Sequence, residues 1–91
     1  MTASFVRHRV RDYETWKKIF DAYESLRREH GEQSAVILRN VEDPNDVTII
    51  NTWPSLEVPR SFFALPELHE KAMQEAGVLG EPTVFVGEEV G

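Results

Sequence analysis

The sequence predicts an α+β domain in which a strand, a helix, a hairpin of two strands, a second helical region and a last strand build a four-stranded antiparallel sheet with both helical regions on one face. Three stretches carry that prediction. Residues Ala3 to Val10 alternate in polarity, Tyr13 to His30 repeat apolar side chains every three or four residues, and Val47 to Trp53 is a β-branched run closed by an aromatic. The last run passes through Pro54 directly into a helical segment, so strand and helix must fold over one another.

In the first strand Ser4, Val6, His8 and Val10 share one side and Phe5, Arg7 and Arg9 the other. Asp12 is a good N-cap for the helix that follows. Tyr13, Trp16, Ile19, Phe20, Tyr23 and Leu26 form its apolar stripe, Lys17, Lys18, Asp21, Glu24, Arg28 and Glu29 its solvated one, and Gly31 suits the residue just past its end. A single helix from Tyr13 to His30 is predicted. Ser34 to Val41 reads as the second strand, with a turn over Glu42 to Asp46, where Pro44 fixes φ and the Asx side chains bond to nearby backbone. Val47 to Trp53 returns as the third strand, placing Ile49, Asn51 and Trp53 on one face.

Ser55 and Glu57 suit the start of the second helical region, and Pro66 divides it into Ser55 to Ala64 and Pro66 to Ala76, ended by Gly77. Val78 and Leu79 are left in a glycine-bracketed loop, and Pro82 to Glu88 forms the fourth strand. The order βαββαβ with right-handed crossovers is the ferredoxin-like arrangement. Its second sheet face, carrying Phe5, Arg7, Thr48, Ile50 and Thr52, is too apolar to be left in water, so two copies packed sheet to sheet, a homodimer, are expected.

The chain has 91 residues, the size of one domain spanning 1–91, and a domain this small buries only about 60–65% of its unfolded surface, which also favours association. A net charge of −6 repels phosphate backbones and anionic lipid, so nucleic acid and membrane are excluded as partners. No apolar run is long enough to span a bilayer and no signal peptide is recognisable, which predicts a cytoplasmic protein. The absence of cysteine removes disulfides, thiolate nucleophiles and cysteine-held metal. His8, His30 and His69 do not converge, so no metal site and no cofactor are predicted.

Strands one and three should be central neighbours, which brings His8 and Asn51 to the helix-facing side with Trp53. Trp16, Phe20 and Tyr23 approach from the first helix, and Phe62, Phe63 and His69 from the second helical region. Aromatic walls with a few polar groups suit a small hydrophobic, cyclic ligand. A neutral imidazole at His8 could act as base, with Asn51 bonding the developing oxyanion. Each of these side chains also has an ordinary structural use, as core packing or a satisfied polar group.

The stretch FVRHRVRDYETWKKIFD, the strand ending in INTW and the segment PELHEKAMQEAGVLGEP resemble the dimeric α+β barrel superfamily, most closely the antibiotic biosynthesis monooxygenase family. That resemblance covers Val6 to Val86. It implies a homodimeric barrel and a cofactor-independent oxygenase acting on a small aromatic substrate; taken with the pocket read from the strands and helices, this makes His8, Asn51 and Trp53 the expected catalytic residues and Trp16, Phe20, Tyr23, Phe62, Phe63 and His69 the expected substrate-binding ones. A cyclase or isomerase of the same superfamily, or a non-catalytic dimer that binds a small ligand or haem, are the alternatives it leaves open. Trp53 matches the tryptophan ending the third strand in the oxygenase and haem-degrading branches, and His8 stands where the latter places an asparagine. The oxygenase asparagine four residues before the tryptophan is replaced by Ile49, leaving Asn51 as the nearest amide. The second-helix histidine of the haem-degrading branch falls at Ala72, about one turn from His69.

Overall fold

A computed structural model describes the backbone of residues 1–91 and the side chains of all but residues 69 and 70. Four strands, β1 (Thr2–Val10), β2 (Ser34–Asn40), β3 (Asp43–Trp53) and β4 (Val78–Glu88), pair antiparallel in the order β2-β3-β1-β4. Helices α1 (Tyr13–Ala22), α2 (Glu24–Glu29) and α3 (Glu57–Phe63), followed by a π-helical turn (Leu68–Ala72) and a short α4 (Met73–Glu75), cover one face. The ferredoxin-like α+β fold is the one predicted. Among the described residues no helix is long and apolar enough to cross a membrane.

Alternation in β1 sorts its side chains as the sequence indicates: Thr2, Ser4, Val6, His8 and Val10 are buried and the residues between them are not. In the β1–β3 register Ser4 faces Asn51, Val6 faces Ile49 and His8 faces Val47. Side chains directly opposite on one face pack together, and Val6, Val10, Val47 and Ile49 meet Trp16 and Ala76 in the buried core. Asp12 caps α1 by accepting from the Thr15 N–H (3.0 Å) and hydroxyl (2.8 Å), bonds that hold its carboxyl below the usual carboxylate range.

Several boundaries differ from the sequence reading, each for a local reason. The predicted single helix breaks at Tyr23, because the Phe20 carbonyl, which a continuous helix would offer to Glu24, instead accepts from the Tyr23 N–H (3.3 Å) and from the Arg27 guanidinium. The hairpin turn shrinks to Val41 and Glu42, since Asn40 pairs with Asp43 while Arg39 pairs with Val47, leaving Pro44 to Asp46 bulged out of register. Asx bonds still shape it: the Glu42 N–H donates to Asn40 Oδ1 (2.9 Å) and the Asn45 N–H to Asp43 Oδ1 (3.1 Å). α3 begins at Glu57, later than predicted, and the Val58 N–H is taken by the Ser55 carbonyl, with no side-chain cap.

The break at Leu65 before Pro66 is where the sequence places it, but part of the segment beyond it is wound as a π-helix. β4 starts at Val78 rather than Pro82, because Val78 and Leu79 pair with Val10 and Arg9. The register shift between Arg7 and Arg9 absorbs the extra β4 residues, among them Gly80, whose φ of 71° no β-branched residue would accept. Arg7 and Arg9 on the open face pair within the chain, with Asp46 and Asp43 respectively. Arg7 and Asn40, bonding the Asp46 carboxylate, hold it far below the usual range.

The face opposite the helices carries a continuous apolar row, Val36 opposite Ile50, Ile50 opposite Phe5 and Phe5 opposite Phe85. Val36 is 53% and Phe85 66% exposed.

Gly77 ends the second helical region at φ 74°, and a Cβ there would stand 3.3 Å from the Arg11 Cβ. Gly77→Ala should therefore lower stability by about 1–2 kcal/mol in urea denaturation, and Gly80→Ala, with the same backbone strain but open space around it, by less.

Candidate functional site

Between the helices and the sheet lies a cavity of about 90 Å³. Its floor is Val6 and His8 of β1 with Ile49 and Asn51 of β3. One wall is Trp16, Ile19, Phe20 and Tyr23, the other Phe62 and Phe63, and Leu68, Ala72, Met73 and Ala76 cover it. Trp16 stacks on Phe20 with centroids 5.0 Å apart, and Phe62 meets Phe63 edge to face at 5.4 Å. Helical spacing puts the first pair on one stripe, while the second pair is the end of α3 brought back over β3 by the turn after Trp53.

His8 is buried at 8% exposure, sits edge-on to Trp16 (5.7 Å), and its Nδ1 has no hydrogen-bond partner among the described residues. Burial pushes its imidazole below the usual histidine range, outweighing the opposing pull of its own backbone and of Asp46, so the ring is neutral near pH 7. It is a proton acceptor or tautomeric donor in an almost wholly apolar chamber.

Asn51 is fixed by a chain of hydrogen bonds. Trp53 Nε1 donates to Ser4 Oγ (2.9 Å), Ser4 Oγ donates to Asn51 Oδ1 (3.2 Å), and Asn51 Nδ2 donates to Glu32 Oε2 (2.6 Å), which also accepts from Arg27 Nε (2.9 Å). The direction of every bond follows from the indole N–H at one end and the carboxylate at the other, so the amide cannot flip without losing two of them. Among the described residues the second N–H of the Asn51 amide has no partner. Arg27 lines the cavity with its guanidinium 3.7 Å from the Phe20 centroid, and its charge is balanced by Glu32, whose side chain is fully buried.

The structure thus gathers His8, Asn51, Trp16, Phe20, Tyr23, Phe62 and Phe63 around one cavity. Trp53 stands outside the lining: at 1% exposure it lies behind Phe62 (5.4 Å) and Phe63 (6.2 Å), and its N–H is used by Ser4. The side chain of His69 lies outside the described residues. Sequence reasoning missed Arg27 and Glu32. Arg27 was legible, since it falls four residues after Tyr23 and seven after Phe20, a cation inside the apolar stripe; Glu32 in its loop gave no signal.

No family model matches the chain, and no curated protein sequence matches it. Solved structures do. A protein of Bordetella bronchiseptica assigned as an antibiotic biosynthesis monooxygenase superposes with a TM-score of 0.81 at 13% identity, over 98% of this chain and 96% of the other. The chain has the fold of the antibiotic biosynthesis monooxygenases. SnoaB of Streptomyces nogalater, a cofactor-independent oxygenase, matches at TM-score 0.72 and 20% identity over 98% of this chain and 95% of its own. The ActVA-Orf6 monooxygenase of Streptomyces coelicolor, solved with nanaomycin D, matches at 0.72 and 24% over 99% and 88%. At these identities the likeness fixes the fold and its resemblance to that family; the chemistry must come from the site.

Two predictions follow from the buried groups. Arg27→Met removes the hydrogen-bonded guanidinium from the buried Glu32 carboxylate, leaving it the Asn51 amide and Arg28 Nε at 3.6 Å, and should lower stability by about 3 kcal/mol, whereas combining it with Glu32→Leu should recover much of that loss, both read from urea midpoints. Because His8 is held neutral, the unfolded chain takes up its proton first as pH falls through about 6.5. Stability should therefore fall from pH 7 to 5, and a His8→Gln variant should show a shallower fall.

Proposed function

We propose that the protein is a cofactor-independent monooxygenase acting on a small hydrophobic, aromatic substrate held in this cavity. The observation that carries the reading is a neutral histidine with an unpartnered ring nitrogen sharing an apolar chamber with an asparagine whose amide is locked in one orientation. His8 removes a proton from a substrate hydroxyl, and Asn51 donates its remaining N–H to the oxygen on which negative charge accumulates. The electron-rich anion then reacts with dioxygen: one oxygen atom stays on the substrate, the other leaves as water with two substrate hydrogens, and all the electrons come from the substrate. The apolar walls keep bulk water from the anion. Trp53 is a positioning residue here, holding Ser4 and thereby Asn51. The description of SnoaB as a cofactor-independent oxygenase supports the same class of reaction.

Haem suits the site poorly. A cavity of about 90 Å³ is far smaller than a porphyrin, and the guanidinium lining it, that of Arg27, is already paired. The working unit is a homodimer closed by the apolar row Val36, Ile50, Phe5 and Phe85, which a lone subunit would leave in water.

His8→Ala should reduce oxygen uptake on reduced hydroxyarenes, in chelator-treated buffer, by about 10²- to 10⁴-fold, with the melting temperature within a few degrees of the parent. Uptake falling only with the folded fraction would move the assignment to a ligand-binding module. In sedimentation, Ile50→Glu should give monomers from a parent of twice the chain mass, while Ile49→Glu, on the buried face, should unfold the subunit.

A further inference from the structure

The cavity is open on one side, so what it recognises is set by its polar groups rather than by its volume. Two of those groups, the Asn51 amide and the Arg27 guanidinium, are tied to a single atom. Both donate to Glu32 Oε2, at 2.6 and 2.9 Å, so the two donating nitrogens stand no further apart than those two bonds laid end to end. Both residues line the cavity.

Glu32 does not exhaust either donor. The second N–H of the Asn51 amide has no partner among the described residues. Arg27 gives Nε to Glu32 and Nη1 to the Phe20 carbonyl, which leaves both N–H groups of Nη2 without a partner among the described residues. Nη2 is not enclosed, since no nitrogen of Arg27 is among the buried polar atoms that lack a partner. The guanidinium lies over the Phe20 ring, 3.7 Å from its centroid, so that ring and the two bonds together fix its plane. Nor does local charge oppose an anion here: the Glu32 carboxylate sits between Arg27 and Arg28, whose Nε is 3.6 Å from Oε1 and which is itself 3.8 Å from Glu24.

The proton chemistry at the other polar group calls for such donors. Burial holds His8 below the usual histidine range. A phenolic hydroxyl of pKa about 10 would then pass its proton to an imidazole of at most about 6.5, against more than about three powers of ten. One neutral amide N–H offsets little of that, whereas a hydrogen bond from a charged donor is roughly twice as strong.

We propose that Arg27 is a second substrate-binding donor, that its Nη2 and the Asn51 amide together form a two-donor oxyanion hole for the oxygen on which negative charge accumulates, and that the site therefore binds a hydroxyarene more tightly as its phenolate than as the phenol. This rests on the reading of the cavity as the place where His8 takes the proton, and it adds the group that makes the transfer favourable. Glu32 is then a positioning residue, one oxygen aligning both donors.

Titrating 4-nitrophenol into the intact protein on either side of neutrality tests this, because its phenol and phenolate forms absorb at different wavelengths. The parent should bind the phenolate roughly tenfold or more tightly than the phenol, seen as a lowered apparent pKa of the bound probe. Arg27→Lys keeps the charge and a donor for Glu32 but has no second nitrogen to offer, and should bring the two affinities to within about twofold of each other. Asn51→Ala, which leaves the guanidinium in place, should keep part of the preference. Equal affinity for the two forms in the parent, no binding of either, an unchanged preference in Arg27→Lys, or its complete loss in Asn51→Ala would each overturn the inference. A preference lost in Arg27→Lys, with no oxygen uptake by the parent on any hydroxyarene, would uphold it and remove the oxygenase reading. Oxygen uptake that Arg27→Lys retains in full, with the preference unchanged, would do the reverse.

Discussion

The Glu32 carboxylate, with no exposed side-chain surface, is the point on which the helix-side architecture turns. Alone, a buried carboxylate costs several kcal/mol; here Arg27 and Asn51 both donate to Oε2, while Oε1 has no hydrogen bond among the described residues and faces Arg28 Nε at 3.6 Å. Satisfying it draws Arg27 inward, and the inward guanidinium takes the Phe20 carbonyl and breaks the helix at Tyr23. The same carboxylate sets the Asn51 amide, which sets Ser4, which receives the indole of Trp53. Helix α2, the loop after it, β1 and β3 are thereby joined by polar bonds in a region otherwise packed by aromatic rings. A hydrophobic replacement of the pair would recover much of the stability but would leave the Asn51 amide without its acceptor, so the ion pair is better explained by what it orients than by what it stabilises.

The sheet divides the molecule into two environments with opposite consequences. On the helix side, burial removes water from His8 and keeps it neutral, while the walls exclude competing polar partners. On the other side a row of apolar side chains crosses all four strands between polar neighbours such as Thr48 and Arg7. Because side chains alternate, both environments are written into the same strands: Phe5 and Arg7 serve one face, Val6 and His8 the other. A one-residue slip of β1 would exchange them and abolish both.

Much of this was legible in the sequence, and the parts that were not have a common cause. The faces of β1 and β3 and the Trp16–Phe20 pair follow from periods of two or of four residues, and the cap at Asp12 from its residue type, all of which local sequence records. Trp53 was expected in the site and lies on the expected face but behind the lining, because alternation fixes a side and not a depth. The helix break at Tyr23, the bulge over Pro44 to Asp46 and the early start of β4 depend on specific pairings that periodicity does not record: Arg27 with Phe20, Val47 with Arg39, Leu79 with Arg9. Glu32 was silent for the same reason. Its role exists only once Asn51, in another element, has been brought beside it.

The central claim is that a ligand bridges His8 and Asn51 within the cavity. A crystal structure of the protein with a bound hydroxyarene tests it most directly. The account predicts a ring between the Trp16 and Phe20 wall and the Phe62 and Phe63 wall, its hydroxyl within about 2.6–3.2 Å of the His8 ring nitrogen and an oxygen at Asn51. A ligand seated on the open sheet face, or His8 Nδ1 bonded to a protein group with the cavity closed by side chains, would contradict it.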